Sequence, residues 1–359
     1  MDETLPGIRQ SDMGAYRKCR RYWDYTSALR QNLQPGGQAI IHFWFGTGMH
    51  FALEDFHGFN RFGDPRHAFA AYVEATPEAQ RPPKWEEYAE LAPSMLAYYL
   101  ESWLPQRSEY DTLWVAGKPQ LEVSWKLPLA GLDHPVSGTF DRLVTDPYGR
   151  LWIMDWKMMA TIETAKLDND FQVTTYLWAA EQLYGKVEGL IYVQFKKVVP
   201  RGPEWLEKSG RFSMATSAPV SYGSFVASLK HRFGTVPSEY QAHLNKLAML
   251  EDGDGDLFIR RTLVRRNRNA LTLHGQHVTA QAREMTYPHL AIYPNPTKDC
   301  GYCPFRAPCL AADDGADEAY LLQENFVSRN TADDWRDRIK WPAAKGGDVN
   351  LPAAQLAVV

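Results

Sequence analysis

The stretch GTFDRLVTDPYGRLWIMDWK, residues 138–157, alternates apolar and polar side chains on either side of Pro147-Tyr148-Gly149. That pattern reads as a β-hairpin. Alternation along its second strand places Leu151, Ile153, Asp155 and Lys157 on one face and Trp152, Met154 and Trp156 on the other. With Asp146 paired to Arg150 and Thr145 to Leu151, the same register predicts Asp141 opposite Asp155. Like charges directly opposed on a half-buried sheet destabilise it; a divalent cation between them removes the conflict. Hard oxygen ligands suit Mg²⁺ or Mn²⁺, and such an ion can lower the pKa of a bound water and clamp a phosphate oxygen. Lys157 would then orient the attacking water or neutralise developing charge. The bland alternative is a surface ion pair of Asp141 with Arg142 or Arg150, which is worth little.

Outward from the hairpin, QLEVSWKLPL (120–129), GLIYVQFKKVV (189–199) and LFIRRTLVRR (257–266) read as further strands. Helices are expected over 11–29, 46–59, much of 64–104 with a break at 81–83, 168–185, 221–251 and 276–286. The 168–185 helix would be capped by Asp168 or Asn169 and ended by Gly185. This order predicts an α/β fold with a central mixed sheet flanked by helices. The main domain is expected over 1–312, with helical insertions at about 60–118 and 200–250; beyond it lies an acidic C-terminal segment, 313–359, with a mobile tail. The 359 residues are 45% hydrophobic and 23% charged, which excludes a disordered, collagenous or coiled-coil chain. With no long apolar run and no signal-like start, a soluble cytoplasmic protein without a membrane partner is expected. The net charge of −4 lacks a bulk basic signature, so nucleic-acid binding would need local basic strips.

Three of the four cysteines crowd into DCGYCPFRAPC as Cys300, Cys303 and Cys309, and the fourth, Cys19, lies far upstream. Such spacing suits a soft metal. Zinc is one reading, although a ribbon usually offers two close pairs; an iron–sulfur cluster on four thiolates is another; a buried Cys19 beside a partial site is the third. Arg260, Arg261, Arg265, Arg266 and Arg268 form a candidate phosphate track, as do Arg17, Arg20 and Arg21, with a solvated charged strand as the alternative. EDGDGD (251–256) lacks the glycine and glutamate placement of a calcium loop and reads as a flexible acidic turn.

GTFDRL, then IMDWK, then a helix bearing Gln172-x3-Tyr176 resemble the core of the PD-(D/E)XK nuclease superfamily, with its restriction-endonuclease-like fold. Gly46-x-Gly48-x-His50 resembles the histidine helix of its RecB-like branch. Cys19 in CRRYWDY, together with CGYCPFRAPC, resembles the iron–sulfur clasp of AddB-type and CRISPR-adaptation exonucleases and of stand-alone phage enzymes. The resemblance implies Asp141, Asp155 and His50 as ligands of Mg²⁺ or Mn²⁺, with the Trp156 carbonyl as a further candidate. It implies Lys157 as the catalytic lysine, Glu122 at an acidic position that some members share, and Gln172 and Tyr176 touching DNA or bracing Lys157. Cys19, Cys300, Cys303 and Cys309 would hold a 4Fe-4S cluster, with zinc the lesser alternative. The implied activity is hydrolysis of single-stranded DNA or duplex ends during recombination, repair or processing; no helicase motif such as G-x4-GK(S/T) appears in this chain, so unwinding would come from a partner protein. Two rival readings are a DNA-end-binding or PAM-selecting module of a CRISPR-adaptation complex and a redox-sensing DNA-binding regulator.

Overall fold

The computed structural model describes residues 5–339 apart from 38, 108, 200, 216–217, 219, 252–254, 256 and 330–334. The acidic turn at 251–256 and the final tail therefore fall largely outside the described residues. The chain opens with β1 (Ile8–Arg9), α1 (Gln10–Lys18), α2 (Arg20–Thr26) and β2 (Leu33–Pro35), then α3 (Ile41–His57), α4 (Pro65–Ala75) and α5 (Trp85–Tyr98). Short strands β3 (Asp111–Thr112), β4 (Trp114–Val115) and β5 (Lys118–Pro119) lead into β6 (Leu121–Leu127), β7 (Val136–Thr145) and β8 (Leu151–Met159). Next come α6 (Phe171–Tyr184) and β9 (Gly189–Lys196), then β10 (Trp205–Leu206), β11 (Arg211–Phe212), α7 (Tyr222–Phe233) and α8 (Gln241–Leu250). β12 (Ile259–Val264), α9 (Arg268–Met285), α10 (Arg306–Asp314), α11 (Glu318–Asn325), β13 (Phe326–Ser328) and α12 (Trp335–Arg338) complete it.

Seven strands form one mixed sheet, in which β1, β7, β8, β9 and β12 are successive neighbours and β3 and β6 line the other side of β7. The fold is thus α/β, with helices covering both faces of a central mixed sheet. One face buries Val123, Phe140, Ile153, Leu190 and Tyr192 under side chains of α1, α6 and α9. The other buries Trp152, Met154, Trp156, Ile191 and Phe195 under α3, α4 and α5. The alternation read from LWIMDWK is the alternation observed.

Asp146 sets the hairpin register. Its carboxylate accepts from the backbone of Tyr148 (2.9 Å) and Arg150 (3.0 Å), from Arg150 Nε (2.6 Å) and from Trp152 Nε1 (3.1 Å). Gly149, at φ +72°, closes the turn, a conformation that glycine adopts without a Cβ penalty. Burial would raise the Asp146 pKa, but these donors outweigh it and hold the group at about 2. The ladder then runs Thr145–Leu151, Val144–Trp152, Leu143–Ile153 and Arg142–Met154, and stops. From Asp141 onward the two strands fork: β7 keeps β6 on its far side, while β8 continues with β9 as a parallel pair out to Met159–Lys196.

Several boundaries differ from the sequence reading for identifiable reasons. The helix expected over 11–29 breaks at Cys19, which is extended (φ −164°, ψ 120°) and turns its sulfur out of the helix line. The cap of α6 is Asp170, whose side chain accepts from Val173 N–H at 2.9 Å. The stretch 221–251 is two helices, because Gly234 takes φ +74° at the end of α7. The insertion between β9 and β12 has its own small core of Phe212, Phe225, Leu229, Tyr240 and Leu244. Beyond Asp313 the chain is not simply a solvated end: α11 leads into β13, which pairs antiparallel with β2 through Phe326–Pro35 and Ser328–Leu33.

Candidate active site

The fork brings together groups from both faces of the sheet. Where the ladder would have continued, Trp156 N–H donates instead to Asp141 Oδ2 at 2.8 Å. Opposite Asp141 on β6, Glu122 takes φ +46°. A side chain with a Cβ reaches that left-handed region only at some cost, and strain of this kind collects at functional sites. α3 supplies His50, whose Nδ1 lies 3.6 Å from both Glu122 Oε1 and Asp141 Oδ2. Ligand atoms of His50, Glu122 and Asp141 all lie within 4.8 Å of one another. The other ring nitrogen, Nε2, lies 2.9 Å from the Trp156 carbonyl oxygen. An Nε2–H donating to that carbonyl leaves Nδ1 with its lone pair facing the carboxylates, the tautomer that a metal ligand requires.

Asp155 and Lys157 face the site from β8, with Nζ 3.0 Å from Oδ1 and 2.8 Å from Oδ2 of Asp155. Asp155 is 2% exposed, and among the described residues its Oδ2 has the Lys157 ion pair but no further hydrogen bond. From α6, Gln172 Nε2 donates to Tyr176 Oη at 3.0 Å, and the phenol lies within electrostatic reach of Asp155 and Lys157. The structure thus places His50, Glu122, Asp141, Asp155, Lys157 and the Trp156 carbonyl around one corner, with the Gln172–Tyr176 pair beside it.

The electrostatics describe a corner short of positive charge. Burial raises the Asp141 carboxyl and the neighbouring Asp155 and Glu122 charges raise it further, against the pull of His50 and Lys157. For His50, burial favours the neutral ring, but Asp141 and Glu122 outweigh it and lift the imidazole to about 9. Burial opposes the Lys157 charge as well, yet Asp155 and Asp141 hold its pKa above the ordinary lysine value. With the imidazole neutral, three carboxylates face one ammonium, a deficit that a divalent cation matches. The mixed nitrogen and oxygen donor set of His50, Glu122 and Asp141, with Asp155 beside it, fits Mg²⁺ or Mn²⁺.

The two glycines before His50 have different jobs. A Cβ on Gly48 would sit 2.6 Å from Tyr72 Cδ1 and 2.8 Å from Phe69 Cε2, so this glycine lets α4 approach α3. A Cβ on Gly46 would meet nothing within 4 Å.

The arginines read as phosphate tracks are largely engaged within the protein. Arg261 pairs with Glu109; Arg265 lies 3.2 Å from Glu188 and over the Trp152 ring; Arg266 donates to Thr174 Oγ1 and the Leu167 carbonyl. Arg17 lies over Phe171, Arg20 pairs with Glu284, and Arg21 reaches Asp313 at 2.7 Å. These side chains tie elements together; sequence alone shows the charge and not the partner.

A second gathering joins the ends of the domain. Burial raises the Cys303 thiol, and the sulfurs of Cys19, Cys309 and Cys300 add to the effect, so all four cysteines share one neighbourhood. All four are free thiols. Backbone N–H groups of Asn295 (3.4 Å) and Tyr22 (3.5 Å) point at Cys19 Sγ, that of Thr297 (3.4 Å) at Cys300 Sγ, and Arg21 Nη1 (3.5 Å) at Cys309 Sγ. Phe305 stacks between Tyr25 (4.9 Å) and Phe326 (4.3 Å) alongside. Among the described residues, no three of the sulfurs lie within 4.8 Å of one another.

An α/β sheet presents here a carboxylate–histidine–lysine corner whose ligand atoms could hold a metal ion. The model of the PD-(D/E)XK nuclease superfamily matches residues 10–310, and the chain belongs to that superfamily of metal-dependent nucleases. No curated protein matches. Among solved structures, one described as the crystal structure of SSO0001 aligns with 11% identity over 77% of this chain and 88% of that one, at a TM-score of 0.29. Among the described residues, no helix is long and apolar enough to cross a membrane.

Proposed function

We propose that this chain is a Mg²⁺- or Mn²⁺-dependent deoxyribonuclease acting from ends of single-stranded DNA or frayed duplex, with the four cysteines holding an iron–sulfur cluster. The observation that carries the nuclease reading is the fork itself: ligand atoms of His50, Glu122 and Asp141 lie within 4.8 Å of one another, and the buried Asp155, paired with Lys157, stands within electrostatic reach of Asp141. His50 Nδ1, Asp141 and Asp155 would hold the cation, with Glu122 and the remaining lone pair of the Trp156 carbonyl as supplements. When bound, the ion supplies Lewis acidity to a water and to the phosphodiester. The chain's own residues do the rest. Trp156 N–H fixes the Asp141 carboxylate, and the Trp156 carbonyl fixes the His50 tautomer. Lys157 presents positive charge where negative charge grows on the phosphorus oxygens.

The surface of α3 supports a single-stranded substrate. Phe43 is 69% exposed and stands two turns before His50 on the same helical face, with Thr47 and the open side of Gly46 between them. A rise of about 1.5 Å per residue puts Phe43 about 10 Å along the helix from the metal site, within one or two nucleotides of the cleaved bond. Exposed aromatic rings are stacking platforms for unpaired bases, and stacking tolerates any sequence.

Sulfur spacing favours a cluster over zinc. Bonds of about 2.3 Å around one zinc ion require sulfurs about 3.8 Å apart, whereas among the described residues no three of the thiols lie within 4.8 Å of one another, and N–H groups are aimed at them as at tuned cluster ligands. The cluster would fasten α2 to the 298–310 turn.

The deciding experiment incubates end-labelled single- and double-stranded DNA with Mn²⁺ or Mg²⁺. Metal-dependent shortening from ends by the wild type, absent in Asp155→Ala, is the expected result. An Asp155→Ala variant as active as the wild type, or a wild type that binds DNA and never cuts it, rejects the reading. The latter result would favour an end-binding module. Metal analysis of anaerobically purified protein decides between iron and zinc.

A further inference from the structure

The strand GLIYVQFK is apolar at nearly every buried position, with one exception. Gln194 is 0% exposed, and among the described residues neither its Oε1 nor its Nε2 has a hydrogen-bond partner. Burying an amide with both ends unsatisfied carries a desolvation cost that a leucine there would avoid. Its place in the sheet suggests why it is there. In the parallel pairing of β8 with β9, Gln194 is the register partner of Lys157. It follows Leu190 and Tyr192 on the same sheet face as Ile153, hence on the face of Asp155 and Lys157. On its other side, its cross-strand partner on β12 is Arg260. The amide is thus flanked in the sheet by two cationic residues, and its carbonyl oxygen, the acceptor end, is the one that a cation attracts.

Lys157 needs such a neighbour. An ammonium has three donors, and both of its close contacts are to the carboxylate of Asp155. Those are oxygens that the cation site also requires. We propose that Gln194 is a positioning residue for Lys157: its buried Oε1 is the acceptor that keeps the ammonium aimed into the fork when the Asp155 oxygens serve the cation. A neutral acceptor suits this task, because it holds the ammonium without competing for its charge. The proposal rests on the reading of Lys157 as the working cation of the site.

The test compares Gln194→Leu with Gln194→Glu in the full-length protein. In ¹⁵N-lysine-labelled protein with Mg²⁺, assigned through Lys157→Arg, hydrogen exchange at the Lys157 ammonium should accelerate roughly tenfold in Gln194→Leu and stay slow in Gln194→Glu. On DNA, kcat should fall about 10- to 100-fold in Gln194→Leu, as for other outer partners of metal sites, with KM within about twofold and partial rescue in Gln194→Glu. Removing an unsatisfied amide should leave the melting temperature of Gln194→Leu unchanged or raised. Unchanged exchange in Gln194→Leu overturns the proposal, as does an equal loss of melting temperature and kcat in both variants. A wild type that shows the exchange contrast without cutting DNA would uphold the positioning role and reject the nuclease reading, so the two fail separately.

Discussion

The fork and the cysteine neighbourhood both assemble residues from distant parts of the chain, but by different physics. At the fork, strands of one sheet hold the carboxylates and α3 is packed against that sheet; Asp141 and Asp155 are buried there beside an extensive apolar core. Around the cysteines the scaffold is thin: α2, the 298–310 turn, a three-ring aromatic stack and ion pairs such as Arg21–Asp313 and Lys18–Asp299, the latter at 3.0 Å. Exposed ion pairs of this kind contribute little. The first region keeps its geometry through the surrounding core and stores electrostatic tension in it. On the proposed reading, the second depends on the cluster its sulfurs would hold.

The largest effect should come from breaking the fork chemically while leaving its scaffold alone. Asp141→Ala and Lys157→Ala should each lower the cleavage rate by at least about 10²–10³-fold. Thermal melting of Asp141→Ala should stay near wild type, because the change also relieves crowding among carboxylates, whereas Lys157→Ala should melt lower, since it leaves the buried Asp155 without its ion-pair partner. Next comes the opposite behaviour at the cysteines. Cys303→Ser should lose bound iron and melt about 5–15 °C lower, since a group bound only by the folded state is worth about 3–4 kcal/mol at ordinary excess. Calorimetry with iron analysis on the same samples checks both halves. An unchanged melting point would erase the contrast between the two regions.

A smaller effect separates the glycines. Gly48→Ala forces α4 away from α3 and should destabilise the fold by about 1–3 kcal/mol, whereas Gly46→Ala should stabilise α3 by up to about 1 kcal/mol. If the DNA strand passes over the open side of Gly46, that second variant should melt higher and still show a raised KM. Smallest of all, Arg265→Ala removes an exposed pair with Glu188 and should change stability by about 1 kcal/mol or less, with DNA affinity unaltered in an anisotropy titration. Loss of affinity there would reinstate the phosphate track.

Much of the fork was legible because its cause is local. The alternation of LWIMDWK and the turn chemistry of Asp146 and Gly149 fix register and faces without help from the rest of the chain. What sequence could not show was the parting of the strands after Arg142–Met154, which lets Trp156 N–H bond a side chain. Nor could it show the left-handed backbone at Glu122, since a positive φ at a glutamate is imposed by packing. The arginines were legible only in part: their charge is visible in sequence, while Glu109, Glu188 and Thr174 become partners only through long-range folding. Gln194 did leave a trace, as the lone amide in an apolar strand, and its meaning depends on a register partner, Lys157, that lies 37 positions earlier in the chain. The break at Cys19 was hidden because helix propensity ran unbroken through residues 11–29.

The central claim is that His50 and the fork carboxylates form a divalent-cation site, and the most direct test is calorimetric titration of the wild type and Asp141→Ala with Mn²⁺ from pH 6 to pH 9. Without a cation the imidazole is protonated up to about 9 and Asp141 is held toward its neutral form, so binding must displace protons. The account predicts affinity that rises with pH, proton release visible as a buffer-dependent heat, and no tight site in Asp141→Ala. Binding that is indifferent to pH, or that survives intact in Asp141→Ala, would contradict it.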